Sequence, residues 1–232
     1  YEIRPRDWSS DVCSSDLDYQ TIVGKIKKFS AGGGAAVIST INGDSNVPFY
    51  KEFANQGLPA EDAPVMAFSV AEDELRGMDT TALVGHLAAW NYYQSVDTPQ
   101  NKQFVSNFKA YCKKNNLPDG DKRVTDDPIE AAYFGVHVWK QAVEKAGSIE
   151  VDKVRKAVYG QKFLAPGGEI MMDQGNHHTH KPVLIGEILK DGQFKIVSRS
   201  KGLVKPEPWS EYTSPDKGCD WISHQGTYSK KG

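Results

Sequence analysis

Apolar residues along the chain follow two different spacings, and the changes between them predict an α/β protein. In residues 21–29, Ile22, Ile26 and Phe29 recur at helical spacing, with lysines on the opposite face. The runs AAVISTI, APVMAFS and VGHLAAWNYYQS are short and apolar, as buried strands are. Helical segments separate these runs. The pattern therefore predicts a parallel sheet with helices on both faces.

A long helix and a hairpin are predicted in the second half of the chain. In DPIEAAYFGVHVWKQAVEKAG, Asp127 is the expected N-cap, Pro128 suits the first turn, and Glu130 is placed to complete a capping box. The apolar stripe of this helix is Ile129, Ala132, Val136, Trp139, Val143 and Ala146. A second helix, VDKVRKAVYG, follows. The runs GGEIMMD and KPVLIGEILKDGQFKIVSRS predict strands, with a hairpin turn at Asp191-Gly192.

Composition and charge exclude several classes of protein. The 232 residues are 39% hydrophobic with a net charge of -2, which is typical of a folded globular chain and gives nucleic acid no electrostatic attraction. No apolar run approaches the ~20 residues that a membrane-spanning helix needs. The glycines at 32–34 lack the G-K-[ST] ending of a phosphate loop, so we expect no nucleotide and no other cofactor.

The first 17 residues, YEIRPRDWSSDVCSSDL, show neither helical nor strand periodicity. One codon choice for DWSSDVCSSDL resembles the primer region of a short-read sequencing adapter. We therefore expect residues 1–17 to be a non-native, adapter-derived segment and the native sequence to begin near Asp18, inside an element. Cys13 would then have no function, and Cys112 and Cys219 remain to be explained.

Ligands of open parallel sheets lie beyond the carboxyl ends of the strands, which here are STINGDSN, AFSVAEDE and WNYYQS. Adjacent residues of a strand face opposite sides, so one of Tyr92 and Tyr93 can lie in the core and the other can reach a cleft, and packing in the core is an equally weighted alternative. The consecutive acids Glu72, Asp73 and Glu74 fan out around a helix start, which favours a solvated first turn with one acid able to face the cleft. The serines lack a GxSxG elbow, and we expect no enzyme.

Three histidines, His177, His178 and His180, lie within GNHHTHKP. Neighbouring residues of a strand diverge, and no carboxylate or cysteine cluster joins them nearby, so a turn leading into a strand is favoured over a metal site. A hydrolase that uses this histidine cluster is a further functional alternative, in addition to the two given at the end of this section.

Five segments carry a resemblance to a known family: VISTINGDSNVPFYKEFANQGL, PVMAFSVAEDEL, GHLAAWNYYQSVDTPQNKQF, DPIEAAYFGVHVWKQAVEKAG and NHHTHKPVLIGEI. Together they resemble the urea-binding proteins of bacterial ABC transporters, which are of the branched-chain amino acid and amide-binding type of periplasmic receptor. The resemblance runs from about Asp18 to about Tyr212. It implies the type I periplasmic-binding-protein fold, an α/β fold with a Rossmann-like parallel-sheet lobe and, here, part of a second lobe.

The resemblance also implies a division of the chain. Residues 18–113 would form most of lobe two, 114–165 the returning helices of lobe one, 166–204 the crossover and C-terminal hairpin of lobe two, and 205–232 an irregular tail. The chain would be truncated at its N-terminus, without the first half of lobe one. We therefore expect a partly exposed apolar stripe on the long helix and no measurable urea affinity for this chain alone.

Seven positions at the strand ends are implied as ligand-binding by the resemblance: Asn42, Ser69, Glu72 and Tyr92, followed by Thr40, Gly43 and Trp90. Urea has one carbonyl acceptor and four N–H donors. Glu72 and the Asn42 carbonyl can accept from it, while Ser69 or Tyr92 can donate.

The implied function is capture of urea or a short-chain amide between two lobes for uptake. It is a periplasmic role, with ABC transporter permease subunits as partners and no catalysis. A cytoplasmic amide-sensing regulator of the same fold is the alternative.

Overall fold

The computed structural model describes residues 18–207. The expectations for the adapter-like segment, for Cys13 and for Cys219 concern residues outside this range. Cys112 lies within it, buried on a helix with a free thiol.

The described chain begins as alternating helices and strands, as the apolar pattern predicted. In order these are α1 (Tyr19–Ser30), β1 (Val37–Ser39), α2 (Asn46–Asn55), β2 (Val65–Ala67), α3 (Glu72–Leu75), β3 (Leu87–Trp90) and α4 (Pro99–Lys114). One boundary differs from expectation. The polar run NGDSNVP predicts a loop through Pro48, but α2 begins at Asn46, because proline fits the first turn of a helix.

The second part of the chain comprises α5 (Asp127–Ala146), α6 (Val151–Val158), β4 (Lys162–Ala165), β5 (Gly168–Met172), β6 (Thr179–His180), β7 (Leu184–Ile188) and β8 (Phe194–Arg199). The hairpin between β7 and β8 turns at Gly192, which has a φ of 76°, and this confirms the predicted Asp191-Gly192 turn. Strand β4 was not predicted, since it carries only four residues after a helix.

Five strands form a large sheet in the order β1-β2-β3-β7-β8. The first three are parallel, whereas β7 runs antiparallel to β3, with Leu87 opposite Glu187. The predicted parallel sheet is thus mixed. It is completed by a hairpin from the far end of the chain.

A small antiparallel sheet, β4-β5-β6, packs with α5 and α6. Residues 123–126, here called the crossing segment, lead from the large-sheet side into α5. A buried charge cluster lies nearby: Lys181 donates to Asp127 Oδ1 at 2.9 Å and to Glu130 Oε2 at 3.0 Å. Glu130 Oε1 also accepts from the Gly167 N–H. The division into lobes stays a prediction.

The start of α5 differs from the predicted cap. Asp126, not Asp127, is the N-cap, and its carboxylate accepts from the Ile129 N–H at 2.9 Å. Glu130 does not close a capping box, because its carboxylate is turned inward to Lys181 and Gly167. The helix ends at Gly147, which has a φ of 58°.

The apolar stripe predicted on α5 is partly exposed, as expected: Val136 is 66% and Trp139 56% exposed. The face that packs against the small sheet and α6 is a different one. It consists of Glu130, Phe134, Val138 and Ala142. Sequence spacing alone did not distinguish the two faces, because both are apolar at intervals of three or four residues.

The large-sheet core is dominated by aromatic rings. Tyr93 stacks on Phe194 of β8 with ring centroids 4.5 Å apart, over Gly186 of β7. A methyl group at Gly186 would lie 2.7 Å from the Tyr93 ring, so this close approach requires glycine. The hairpin and the segment after β3 are thereby locked together.

Candidate functional site

The loops that follow β1 and β2 meet at one edge of the large sheet, because parallel strands end on the same side. The side chain of Asn46, at the start of α2, joins the two loops from the protein interior. Its side-chain NH₂ lies 3.1 Å from each of three carbonyl oxygens, those of Ile41, Gly43 and Ser69. Asn46 is fully buried, and the loops are therefore fixed by an interior polar group.

Four of the predicted site residues lie on these two loops. Ser69 Oγ donates to Asn42 Oδ1 at 2.5 Å and so joins the loops at the surface. Thr40, Asn42 and Gly43 are exposed, while Ser69 is half-buried. Gly43 has a φ of 57°, which allows the chain to turn directly after Asn42. The arrangement presents an amide and a hydroxyl side by side.

Glu72 is the first residue of α3 and is fully buried. Its Oε1 accepts from the Gln94 N–H at 2.6 Å, whereas its Oε2 has no partner among the described residues. Burial, with a smaller contribution from the nearby acids Asp126 and Glu74, raises the pKa of this carboxyl to about 8. Glu72 is therefore a neutral acid at pH 7 with one unpaired oxygen.

The polar groups of the Tyr92 and Trp90 side chains form hydrogen bonds with interior residues. The Tyr92 hydroxyl donates to Asn101 Oδ1 at 2.7 Å and lies 2.8 Å from Thr125 Oγ1, without solvent exposure. Trp90, at the end of β3, is half-buried and donates its indole N–H to the Val70 carbonyl at 2.8 Å. Both side chains support the loops after β2 and β3 from the inside.

Of the two alternatives for Tyr92 and Tyr93, the structure shows packing of both rings in the core. Tyr93 is also fully buried, and its hydroxyl donates to the Ala88 carbonyl at 2.6 Å. Strand β3 ends at Trp90, so the alternation of faces that placed one ring in a cleft no longer applies at 92 and 93.

The structure thus separates the seven predicted residues into two groups. Thr40, Asn42, Gly43 and Ser69 form a surface pair of loops, while Glu72, Tyr92 and Trp90 belong to the supporting interior. Sequence analysis missed two interior residues, Asn46 and Gln94. The side-chain amide of each forms hydrogen bonds with backbone groups of the loops. In the sequence, their only signal is that an Asn or a Gln lies beside a turn segment.

The histidine-rich turn forms its own closed network. Asp173 accepts from the Gly175 N–H at 2.8 Å and from His180 Nε2 at 2.8 Å, and these bonds lower the pKa of its carboxyl. His177 instead stacks on Tyr159, with ring centroids 4.6 Å apart. Within residues 18–207, no group of three or more His, Cys, Asp or Glu side chains is arranged to hold a metal ion. A turn entering strand β6 accounts for this motif.

Within the same range, no helix is long and apolar enough to cross a membrane. The structure therefore offers no helical span there.

Comparison with known proteins identifies the family of this chain. The family model described as a periplasmic binding protein domain matches residues 12–215, so the match begins inside the segment expected to be non-native. A Leu/Ile/Val-binding protein homolog 6 from Brucella melitensis is 26% identical over 76% of this chain. A protein named limonene hydroxylase from Geobacillus stearothermophilus is 30% identical over 56% of this chain.

Among solved structures, one similar chain is a solute-binding protein of an ABC transporter from Rhodopseudomonas palustris HaA2, in complex with p-hydroxybenzoic acid. It is 26% identical with a TM-score of 0.68, over 82% of this chain and 51% of its own. The present chain spans 44% of the Brucella relative and 23% of the Geobacillus one, less than half of each. With this fold and a family match over most of its length, the chain belongs to the periplasmic binding protein family and has the type I α/β fold of that family.

Proposed function

We propose that this chain forms one wall of the ligand cleft of an ABC-transporter solute-binding protein that captures urea or a short-chain amide. The observation that carries the proposal is the hydrogen-bonded Asn42–Ser69 pair at the carboxyl edge of the sheet, in the loop that leads to the buried Glu72. An amide oxygen and a hydroxyl are the complement of a small ligand that has both N–H and C=O groups. The loops after β1 and β2 are thus the proposed contact surface.

The local charge supports a neutral ligand. Glu74 and Asp126 lie close enough to the neutral Glu72 to raise its pKa, so these two acids give this edge a negative field. A carboxylate such as p-hydroxybenzoate, which the Rhodopseudomonas protein holds, would be repelled by that field. Urea or an amide carries no charge and has N–H groups that acids attract.

The proposal contains no catalytic step. The hydroxyl of Ser69 is bonded to the amide oxygen of Asn42, and an amide cannot take a proton from it as a general base would. The partners proposed are permease subunits of an ABC transporter, and the proposed location is the periplasm, as for the family to which the chain belongs.

Calorimetry tests the ligand class. The protein is expressed at the full length of its relatives and titrated with urea, acetamide, p-hydroxybenzoate and leucine. We expect heat with urea or acetamide, and a loss of roughly tenfold in affinity for Ser69→Ala and for Asn42→Ala, since each removes one ligand hydrogen bond. Ser106→Ala, exposed on α4, is the matched control and should bind normally. Binding of leucine or p-hydroxybenzoate, with no heat from either amide, would contradict the proposed ligand.

A further inference from the structure

An apolar groove of about 710 Å³, here called the α4 groove, lies between α4 and the layer of α5 and the small sheet. Its floor is a row of aromatic rings, in which the Phe104 ring lies 4.7 Å from that of Tyr133 and 6.5 Å from that of Phe108, centroid to centroid. The side chains of Tyr111 and Leu164 are 62% and 57% exposed in its walls. Among the residues that the structure describes, no charged side chain lines it. An exposed apolar surface of this kind is typical of a binding site.

Three side-chain amides of α4 add polar groups to this aromatic surface: Gln100, Gln103 and Asn107. The Gln103 NH₂ donates to Asn107 Oδ1 at 2.7 Å, which leaves Gln103 Oε1 as an acceptor. Trp and Tyr side chains have an apolar body and a polar N–H or O–H tip. An aromatic floor beside amide oxygens is therefore the complement of these two residue types.

The described part of the chain ends on the side of the α4 groove that Pro166 lines. The Val204 N–H donates to the Lys181 carbonyl at 2.8 Å, and Lys181 Nζ donates to Glu130 Oε2 at 3.0 Å. Glu130 Oε1 in turn accepts from the N–H of Gly167, the residue after Pro166, at 3.1 Å. The residues that follow Val204 therefore start close to the groove.

The sequence after Val204, KPEPWSEYTSP, has a ring at every third position. These residues are Pro206, Trp209, Tyr212 and Pro215. A polyproline II helix has three residues per turn, so this spacing predicts a helix of that type with the four rings on one face. Residues 206–215, here called the tail segment, lie within the family match, which runs to residue 215, and the structure describes the first two of them.

The tail segment and the α4 groove agree in their dimensions. The Thr98 hydroxyl donates to the Pro166 carbonyl at 2.7 Å, so the side where the chain leaves is the start of α4. From there to Tyr111, α4 extends about 18 Å, and a polyproline II helix of ten residues spans about 28 Å. Successive rings of such a helix are about 9 Å apart, and Phe104 and Tyr111 are separated by about 10 Å along α4. Two neighbouring tail rings therefore match the two ends of the aromatic row.

We propose that the tail segment binds in the α4 groove as a polyproline II strap, with the Trp209 and Tyr212 rings on the aromatic row. Grooves lined by aromatic side chains bind polyproline II segments in this way, because the segment loses little entropy on binding. Since the groove lies between α4 and the layer of α5 and the small sheet, the bound strap links the two. This inference goes beyond the proposed function and does not depend on which ligand the protein binds.

Photocrosslinking in a protein expressed at the full length of its relatives tests where the tail segment lies. Tyr212 is replaced by p-benzoylphenylalanine, which keeps an aromatic ring, and the crosslinked peptides are identified by mass spectrometry. We expect crosslinks within one molecule to residues 103–111 of α4 or to Leu164. The same replacement of Phe29, which is 75% exposed on α1, is the control and should give no crosslink to the tail segment. Crosslinked dimers would assign the groove to a second copy, and crosslinks only to other segments, or none, would likewise overturn the proposal.

A binding assay measures what each ring of the tail segment contributes. A protein that ends at Glu207 has an open groove, and a fluorescent peptide of residues 205–217 should bind it in an anisotropy titration. Trp209→Ala or Tyr212→Ala in the peptide should weaken binding at least tenfold, as loss of a buried aromatic anchor does. Ser210→Ala lies on another face of the helix and should bind normally.

Variants of the shortened protein identify the binding surface. Tyr111→Ser should weaken peptide binding at least tenfold, whereas Phe29→Ser, the matched control on α1, should not. The protein with its own tail should bind the peptide at least tenfold more weakly than the shortened one, because the groove is already filled. A folded shortened protein that does not bind millimolar peptide, or binds the Trp209→Ala peptide equally well, would overturn the proposal. If the shortened protein does not fold, the crosslinks in the intact protein decide.

Discussion

Replacing Glu72 by Gln should change how the stability of the fold depends on pH. The pKa of Glu72 is about 8 in the folded chain against an ordinary value of 4.5. Between these two pH values, the unfolded chain loses the proton while the folded chain keeps it. The free energy of unfolding contributed by this group is therefore largest below pH 4.5, falls as pH rises toward 8, and is constant above 8.

The size of the effect follows from the shift. Each pKa unit corresponds to about 1.4 kcal/mol, so ionisation of Glu72 removes up to about 5 kcal/mol of stability across this window. That is a large part of the ~5–15 kcal/mol that stabilises a typical domain. Glu72→Gln does not ionise, so its stability relative to wild type should rise between pH 5 and pH 8 by about 3.5 kcal/mol, the part of this amount that falls within that window.

Guanidinium chloride unfolding at pH 5, 6.5, 8 and 9 measures this difference without using urea, the proposed ligand. Any constant cost of the new NH₂ group cancels, because only the change of the difference with pH matters. Asp73→Asn is the control, and its difference from wild type should not vary in this range. If the Glu72→Gln difference is the same at pH 5 and pH 8, the inference that Glu72 is a buried neutral acid is refuted.

Three further variants test the packing and polar contacts. Asn46→Ala leaves three loop carbonyls without their shared donor and should lower the free energy of unfolding by about 3 kcal/mol, measured by guanidinium unfolding. Lys181→Met leaves two buried acids without their cation and should cost about 3–5 kcal/mol in the same assay. Gly186→Ala inserts a methyl group against the Tyr93 and Phe194 rings and should lower the melting temperature, at a cost of about 1–3 kcal/mol.

Each of these variants has a matched control. Asn55→Ala removes an exposed amide from the end of α2 and should change stability little, so an equal loss there would contradict the role given to Asn46. Adding Glu130→Gln to Lys181→Met should recover part of the loss, since one uncompensated charge is then gone. Gly202→Ala has no atom within 4 Å of the new methyl group, and it should melt like wild type.

The sequence pattern predicted the parallel strands, the long helix and the hairpin, because each has a strong local signal. Short apolar runs bounded by polar loops identify β1, β2 and β3, and Asp191-Gly192 identifies the hairpin turn. The antiparallel placement of β7 beside β3 could not be predicted in this way. It depends on contacts between residues about 100 positions apart, such as Leu87 and Glu187.

The sequence predicted which loops carry the candidate site, but not which buried residues support them. The rule that ligands lie beyond the carboxyl ends of strands pointed to Asn42 and Ser69, and the structure joins them by a hydrogen bond. The inward position of Tyr92 was one of two alternatives that the sequence left open, because β3 ends at Trp90, before either tyrosine. Gln94 was missed because its role depends on three distant partners, Glu72, Thr125 and Gln193, which only the fold brings together.

The order of the large sheet has a consequence for synthesis on the ribosome. The strands β1, β2 and β3 are translated before β7, the partner that covers the open edge of β3 and is made about 100 residues later. Throughout that interval β3 has an unpaired row of N–H and C=O groups, the kind of edge on which strands of other chains assemble. At 5–20 residues per second, the delay is roughly 5–20 s. A chaperone that covers the β3 edge would therefore act in the interval before the β7–β8 hairpin is made.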